Sequence, residues 1–222
     1  MVLKEMLLEN LKQVELLAGD SKWRRFFHNP IAYLNAIIFK EVIYNRTEEE
    51  RIVTKKIFTE QEMKLALPAS TDIYLTGGKS HPSEIKLARF LIQHLNTEDH
   101  FLDIGAHYGF FSLLALKLVG DKGKLVAIEP SSSAFKILTH NFHHIANIQL
   151  KNQAVNDAVG HVTFYEFPNR ESEYNTMDVT QFKNQEWYIE NHVKKKTVEA
   201  TTIDALTVEN TFNPSIIKID VE

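Results

Sequence analysis

The stretch that most constrains the fold is Phe101-Leu102-Asp103-Ile104-Gly105-Ala106-His107-Tyr108-Gly109-Phe110-Phe111-Ser112. Phe101 to Ile104 is short and apolar, as expected of a strand buried on both faces of a parallel sheet. Asp103 stands near the strand's C-terminal end, where an open α/β sheet places its ligand crevice. Gly105, Ala106 and Gly109 are small, so backbone and ligand can approach closely. Phe110 to Val119 reads as an apolar helix whose free N–H groups point to the crevice. Strand, acid, small-residue turn and helix together describe a nucleotide-binding corner.

The corner is not a phosphate cradle of the G-x-x-x-x-G-K-[ST] type, because no Lys-Ser/Thr pair follows the glycines. Nor is it a clean G-x-G-x-x-G. An anionic Asp103 is a poor neighbour for a pyrophosphate and suits a ligand that offers a hydroxyl or an ammonium. S-adenosylmethionine has both and no phosphate, which favours methyl transfer over hydride transfer. A nicotinamide-dependent oxidoreductase is the enzyme alternative. A non-catalytic domain that keeps only the cofactor corner is the third.

Further buried strands follow. Leu125 to Pro130 is the second and carries Glu129 at its end; Ile148 to Leu150 is the third; Ser215 to Glu222 is the fourth. Ser131 to His144 is a crossover helix. This order predicts a Rossmann-like, doubly wound, mostly parallel α/β sheet with right-handed crossovers. His161–Phe167 and Lys195–Ile203 read as added strands, with a polar, irregular stretch from Pro168 to Gln185. A helix over Ser83–Ile92, capped by Ser83, is expected to start over the cofactor mouth. Residues 71–222 form the cofactor-binding domain in this reading, and residues 1–70 a helical extension.

In the extension, Leu3, Leu7, Leu11, Val14 and Leu17 recur at helical spacing. A second helix runs from Pro30 to about Tyr44 and is expected to bury Ile31, Leu34, Ile37, Ile38 and Val42. Trp23, Phe26 and Phe27 are expected to pack the extension onto the main domain. Ile52 to Leu67 reads as extended segments covering one edge of the sheet. Thr71 to Leu75 reads as a short strand before a Gly77-Gly78 turn.

The chain of 222 residues has no cysteine, which removes disulfides, thiolate metal sites and cysteine nucleophiles. Its net charge of -4 gives no reason to expect nucleic-acid or membrane-surface binding. Glu5 and Glu9 interrupt the N-terminal apolar residues, so no signal-peptide core forms, and no run is long enough to span a bilayer. A cytoplasmic protein is expected.

Glu129 lies 26 residues beyond Asp103, a place from which a carboxylate can accept both ribose hydroxyls. Gln153, after the third strand, offers an amide to an adenine edge. Asp220 and Glu222 share a face of the fourth strand if Val221 points away, with Lys218 at the same parity. They could position the methionine end of the cofactor or take a proton from a substrate hydroxyl. His140, His143 and His144 fall at i, i+3 and i+4, but no further ligand accompanies them, and no metal site is expected.

Asp-Ile-Gly-Ala-His-Tyr-Gly-Phe-Phe-Ser at 103–112, Ala-Ile-Glu-Pro-Ser at 127–131 and Ile-Lys-Ile-Asp-Val-Glu at 217–222 resemble the FkbM family of S-adenosylmethionine-dependent methyltransferases. Thr201 to Leu206 resembles the segment before that family's last motif. The resemblance covers roughly residues 72–222. It implies a class I methyltransferase fold and O-methylation of a sugar or small-molecule hydroxyl. It also implies that Asp103, Gly105 and Ala106 flank the methionine moiety; His107 and Gly109 of the same loop are further candidates for cofactor binding. Glu129 then binds ribose and Asp220 faces the methyl group. His107 stands where the family often carries Asn. The family pattern continues past the last motif, so the chain reads as truncated after the fourth core strand, with an oligomer or partner covering that strand's edge.

Overall fold

The computed structural model describes residues 2–185, 188, 192–209 and 212–221. Helix α1 (Val2–Gly19) buries Leu7, Leu11 and Val14 at i, i+4 and i+7, one helical stripe. Short α2 (Lys22–His28) and α3 (Pro30–Ile38) follow. Asn29 caps α3 by accepting from the Ala32 N–H at 3.0 Å, and Pro30 fills its first turn. A π-helical turn at Phe39–Tyr44 leads into α4 (Asn45–Thr47).

The expected apolar face of the second helix is reversed. Ile31, Leu34, Ile37, Ile38 and Val42 are exposed, and the residues turned inward are Ala32, Ala36, Phe39 and Tyr44. Small Ala side chains let the helix approach its support closely, which leaves the large aliphatic groups on the outer side. Trp23 and Phe27 are also exposed rather than packed on the main domain, while Phe26 lies edge-on to Tyr33.

Strands β1 (Arg51–Lys56) and β2 (Glu62–Leu67) pair antiparallel with each other and with no strand of the main sheet. They therefore form a separate hairpin rather than an edge cover. Asn141 fastens it, accepting from the Lys64 N–H at 2.8 Å and donating to the Lys64 carbonyl at 3.0 Å. Thr71–Thr76 is a helical turn, α5, not a strand; Gly77 at φ +80 closes it in the left-handed conformation that ends helices. Helix α6 (Pro82–His94) is capped by His81, not Ser83. The His81 ring accepts from the Ser83 N–H, and Glu84 reaches back to the His81 N–H.

The main sheet contains β3 (His100–Ile104), β4 (Lys124–Ile128), β5 (Ile148–Lys151) and, further on, β9 (Ile216–Ile219). All its pairs are parallel and the order is β5-β4-β3-β9. Helix α7 (Phe110–Val119) crosses from β3 to β4, and α8 (Ser132–Phe142) from β4 to β5. The winding reverses between β3 and β9, so the crevice opens at their carboxyl ends. Between β5 and β9 the chain builds a second sheet from β6 (Ala154–Val155), β7 (Gly160–Glu166) and β8 (Lys194–Thr201), in the order β6-β8-β7, and then α9 (Ile203–Glu209).

Alternation along the strands divides the core. Phe101, Leu125 and Ala127 face the large cluster that includes α6, α7 and the three buried residues of α1. Leu102, Ile104, Val126 and Ile128 face Leu206 and Phe212. Among the described residues, no helix is long and apolar enough to cross a membrane.

Candidate functional site

A cavity of about 430 Å³ lies at the tips of β3, β4 and β9, within the range of small-molecule sites. Gly105, His107, Glu129, Gln153 and Asp220, all singled out from the sequence, line it. Asp103, Ala106 and Gly109 do not. Glu222 lies outside the described residues.

Glu129 is buried, and its two carboxylate oxygens are held separately. Oε2 accepts from the His107 N–H and Oε1 from the Ser131 N–H, each at 2.8 Å. Each oxygen keeps a further lone pair. Burial pushes its pKa up to about 7, against the pull of those two N–H groups. Asn152 fixes the loop behind it by donating to the Glu129 and Pro130 carbonyls. Gln153 donates to Glu199 at 3.1 Å, while its Oε1 is buried and has no hydrogen-bond partner among the described residues.

Gly105 sits at φ +75, and a Cβ there would fall 2.1 Å from the Asp220 carbonyl oxygen. Only glycine allows the β3 loop to cross the end of β9 so closely. Gly109, at φ +90, has a different task. A Cβ would strike Phe142 at 2.3 Å, so this glycine seats α8 against the start of α7. Ala106 lines a small neighbouring hollow with His107, Lys218 and Asp220.

Asp103 is sealed beneath the loop. Its Oδ2 accepts from the Ser112 hydroxyl of α7 at 2.6 Å. Its Oδ1 lies 3.0 Å from Lys218 Nζ, off the hydrogen-bond direction. Lys218 Nζ donates to the Gly105 carbonyl at 2.8 Å and lies 3.5 Å from Asp220 Oδ2. Lys218 is therefore the post that joins β3, its loop and β9. Asp220 itself reaches the rim, with its side chain 62% exposed.

The His107 ring stacks on Tyr108 at 3.7 Å and lies 3.4 Å from the Ser172 hydroxyl. Burial, then the Lys79 and Lys218 charges, lower its pKa to about 3, so the ring is neutral. The 3-10 turn Asn169–Tyr174 closes over this side. Asn169 donates to Tyr108 Oη at 3.1 Å and the Arg170 N–H donates to Tyr44 Oη at 3.2 Å. The polar stretch thus becomes a cover that brings Glu173, Tyr174, Asn175 and Met177 to the cavity.

Sequence reasoning passed over Lys79 and Glu173 and gave Glu84 no role. Lys79 pairs with Glu84 at 2.6 Å and lies 3.9 Å from Glu173 at the cavity wall. Burial pulls the Lys79 pKa down, and the Glu84, Glu173 and Asp72 carboxylates together outweigh it, so it ends raised. The turn before α6 was the one available signal, since a residue just ahead of a Pro-started helix projects past the helix end. Glu173 had no signal, because nothing local distinguishes it in a polar run. The three candidate histidines lie close together at the end of α8, with ring centroids 5.1 Å apart for His140 and His143 and 3.5 Å for His143 and His144, and the His143 Nδ1 is taken by the His140 carbonyl at 2.6 Å. Among the described residues no cluster of His, Asp and Glu is arranged to hold a metal.

The model of the methyltransferase FkbM domain matches residues 103–222. The chain belongs to this family. No curated protein matches it significantly. Similar solved structures include TYW2 of P. horikoshii in complex with MeSAdo, with 18% identity, 56% of this chain and 48% of that one covered, and a TM-score of 0.35. A SAM-dependent O-methyltransferase from Thermotoga maritima shows 18% identity over 46% of this chain and 40% of its own, with a TM-score of 0.30. A protein-L-isoaspartate O-methyltransferase shows 19% identity over 66% and 41%, with a TM-score of 0.31. The chain spans less than half of the length of each. Asp103, the sealed acid, is the first residue of the family match, and Gly105, Glu129, Gln153 and Asp220 all fall inside it.

Proposed function

We propose that this FkbM domain binds S-adenosylmethionine in the cavity and methylates a hydroxyl of a sugar or other small molecule. Glu129 carries the reading: a buried carboxylate, fixed by two backbone N–H groups, with a lone pair left on each oxygen at the cavity wall. That pattern suits the paired hydroxyls of a ribose. The unpartnered Gln153 Oε1 suits an adenine amino group, and the cavity wall beside Gly105 and Asp220 suits the methionine portion.

In this reading Glu129 and Gln153 hold the nucleoside, Gly105, Ala106 and His107 shape the loop beside the methionine, and Asp220 borders it. Asp103 and Gly109 act through the loop, by ion pairing and by packing. When bound, the cofactor supplies an electrophilic methyl group on a sulfonium. The chain contributes position and exclusion of bulk water. The acceptor hydroxyl must lose a proton, and the Asp220 carboxylate at the rim takes it. Glu222, at the same strand parity, is the second candidate for that step.

Calorimetry with S-adenosylhomocysteine and with NAD tests the cofactor, and methyl transfer to a panel of glycans and small alcohols tests the acceptor. Binding of S-adenosylhomocysteine without NAD is expected. Binding of NAD alone overturns the reading. Cofactor binding with methylation only of nitrogen or carbon acceptors overturns the hydroxyl assignment.

A further inference from the structure

Asp103 is sealed beneath its loop, with Ser112 on one oxygen and Lys218 beside the other. It is closed to the ammonium of a bound methionine, a group that its place near the strand end would suit. An α-amino acid carries both an ammonium and a carboxylate, and each needs a partner when it leaves water. Lys79 lines both the cavity and the small hollow shared by Gly105, Ala106 and Asp220, whereas Glu129 and Gln153 line the cavity alone. Lys79 therefore stands at the end away from the nucleoside. Among the described residues lining the cavity it is the one lysine or arginine.

Lys79 is held in place. Its side chain is 16% exposed, and Nζ lies 2.6 Å from Glu84 Oε1. Glu84 Oε2 accepts from the His81 N–H at 3.4 Å, which fixes that carboxylate at the start of α6. An ammonium has three N–H donors, so this pairing leaves Lys79 able to take a further acceptor. Glu173 Oε1, on the Asn169–Tyr174 turn, lies 3.9 Å from Nζ, beyond hydrogen-bond length. Two opposite charges thus face each other without a direct hydrogen bond. We infer that Lys79 and Glu173 form a clamp for the amino-acid end of the cofactor, Lys79 binding its carboxylate and Glu173 its ammonium; this rests on the S-adenosylmethionine reading of the cavity. A zwitterion suits such a wall, because it gives each charge a partner and adds no net charge. Glu84 is a positioning residue for Lys79. Asp220 stays free for the proton of the acceptor hydroxyl.

The test is calorimetry on the full chain with three ligands. S-adenosylhomocysteine keeps the amino-acid end, its decarboxylated analogue keeps only the amine, and methylthioadenosine has neither. The parent should bind S-adenosylhomocysteine about tenfold or more tightly than methylthioadenosine, the worth of hydrogen bonds between charged groups. Lys79→Met should remove that advantage for S-adenosylhomocysteine and leave the other two ligands unchanged. Glu173→Gln should weaken both amine-bearing ligands and leave methylthioadenosine unchanged, which also reports an intact fold. Lys79→Met strands the Glu84 carboxylate, so Lys79→Gln/Glu84→Gln, with no carboxylate left unpaired there, should show the same selective loss. An equal loss for methylthioadenosine, or no loss for S-adenosylhomocysteine in either Lys79 variant, overturns the clamp. If the parent binds S-adenosylhomocysteine and methylthioadenosine equally, the cofactor reading stands and the clamp alone falls. If it binds neither, both fall.

Discussion

The tips of β3 and β4 look alike in sequence and do opposite things. Each strand is a short apolar run with an acid near its end, and the two are neighbours in the sheet. Asp103 is still inside the ladder, level with Ala127 on one side and Lys218 on the other. Its carboxylate must point into the packed layer under α7, where a lone charge would be costly; Lys218 neutralises it and the Ser112 hydroxyl donates a hydrogen bond to it. Glu129 is the first residue past the ladder, because Ile104 and Ile128 form its last pair. Its carboxylate meets only loop N–H groups and the cavity. Two residues of strand position separate an acid that holds the loop together from an acid that can hold a ligand.

The largest effect should come from breaking the sealed tip. Lys218→Ala leaves Asp103 buried and unpaired, and urea denaturation should show a loss of about 3–5 kcal/mol. Replacing both partners, Asp103→Leu with Lys218→Met, should recover most of it. If Lys218→Ala is as stable as the parent, Asp103 is not sealed and the contrast between the tips fails. At the open tip the loss should appear in binding instead. Glu129→Ala should weaken S-adenosylhomocysteine by about 10–100-fold in calorimetry, as expected for hydrogen bonds to a charged group, with a smaller change in stability than Lys218→Ala.

Acidity sharpens the same contrast. The Glu129 pKa is raised to about 7 from 4.5, so the folded chain holds a proton there that the unfolded chain releases between those values. This group's contribution to stability is present below the unfolded value and is lost as pH rises through about 7. Ribose hydroxyls donate to the ionised form, so affinity for S-adenosylhomocysteine should fall as pH drops below about 7, by up to tenfold per pH unit. Glu129→Gln should flatten that dependence. An unchanged slope in this variant would show that another group titrates. The smallest effect belongs to Gln153→Leu, which should cost about 3–10-fold in S-adenosylhomocysteine affinity, the worth of one neutral hydrogen bond. The inosine analogue, which lacks the amino group, should bind parent and variant equally.

Much of the sheet was legible in the sequence because buried parallel strands leave continuous apolar runs between small-residue turns. β3, β4, β5 and β9 all lie where those runs predict, and Glu129 and Gln153 line the cavity because residues just past such strands face the crevice. In the extension the buried stripe of α1 was legible, whereas the second helix was legible as helix but not as to which side is buried. Periodicity identifies an apolar face, and in α3 that face lies outside while Ala32 and Ala36 make the packed contact. Thr71–Thr76 was misread as a strand because a run this short carries no distinguishing period.

By itself the sequence determined the strand order along the chain, the loop that needs Gly105, and the acids available at the strand tips. These are local properties, set by residue size, periodicity and backbone freedom. Tertiary structure decided the use of each acid. The register of β3 against β9 set Lys218 beside Asp103, and the closure of the Asn169–Tyr174 turn brought Glu173 to a wall shared with Lys79. Charges far apart in the chain take their roles from what folding sets within a few ångströms of them, and spacing along one strand does not encode that.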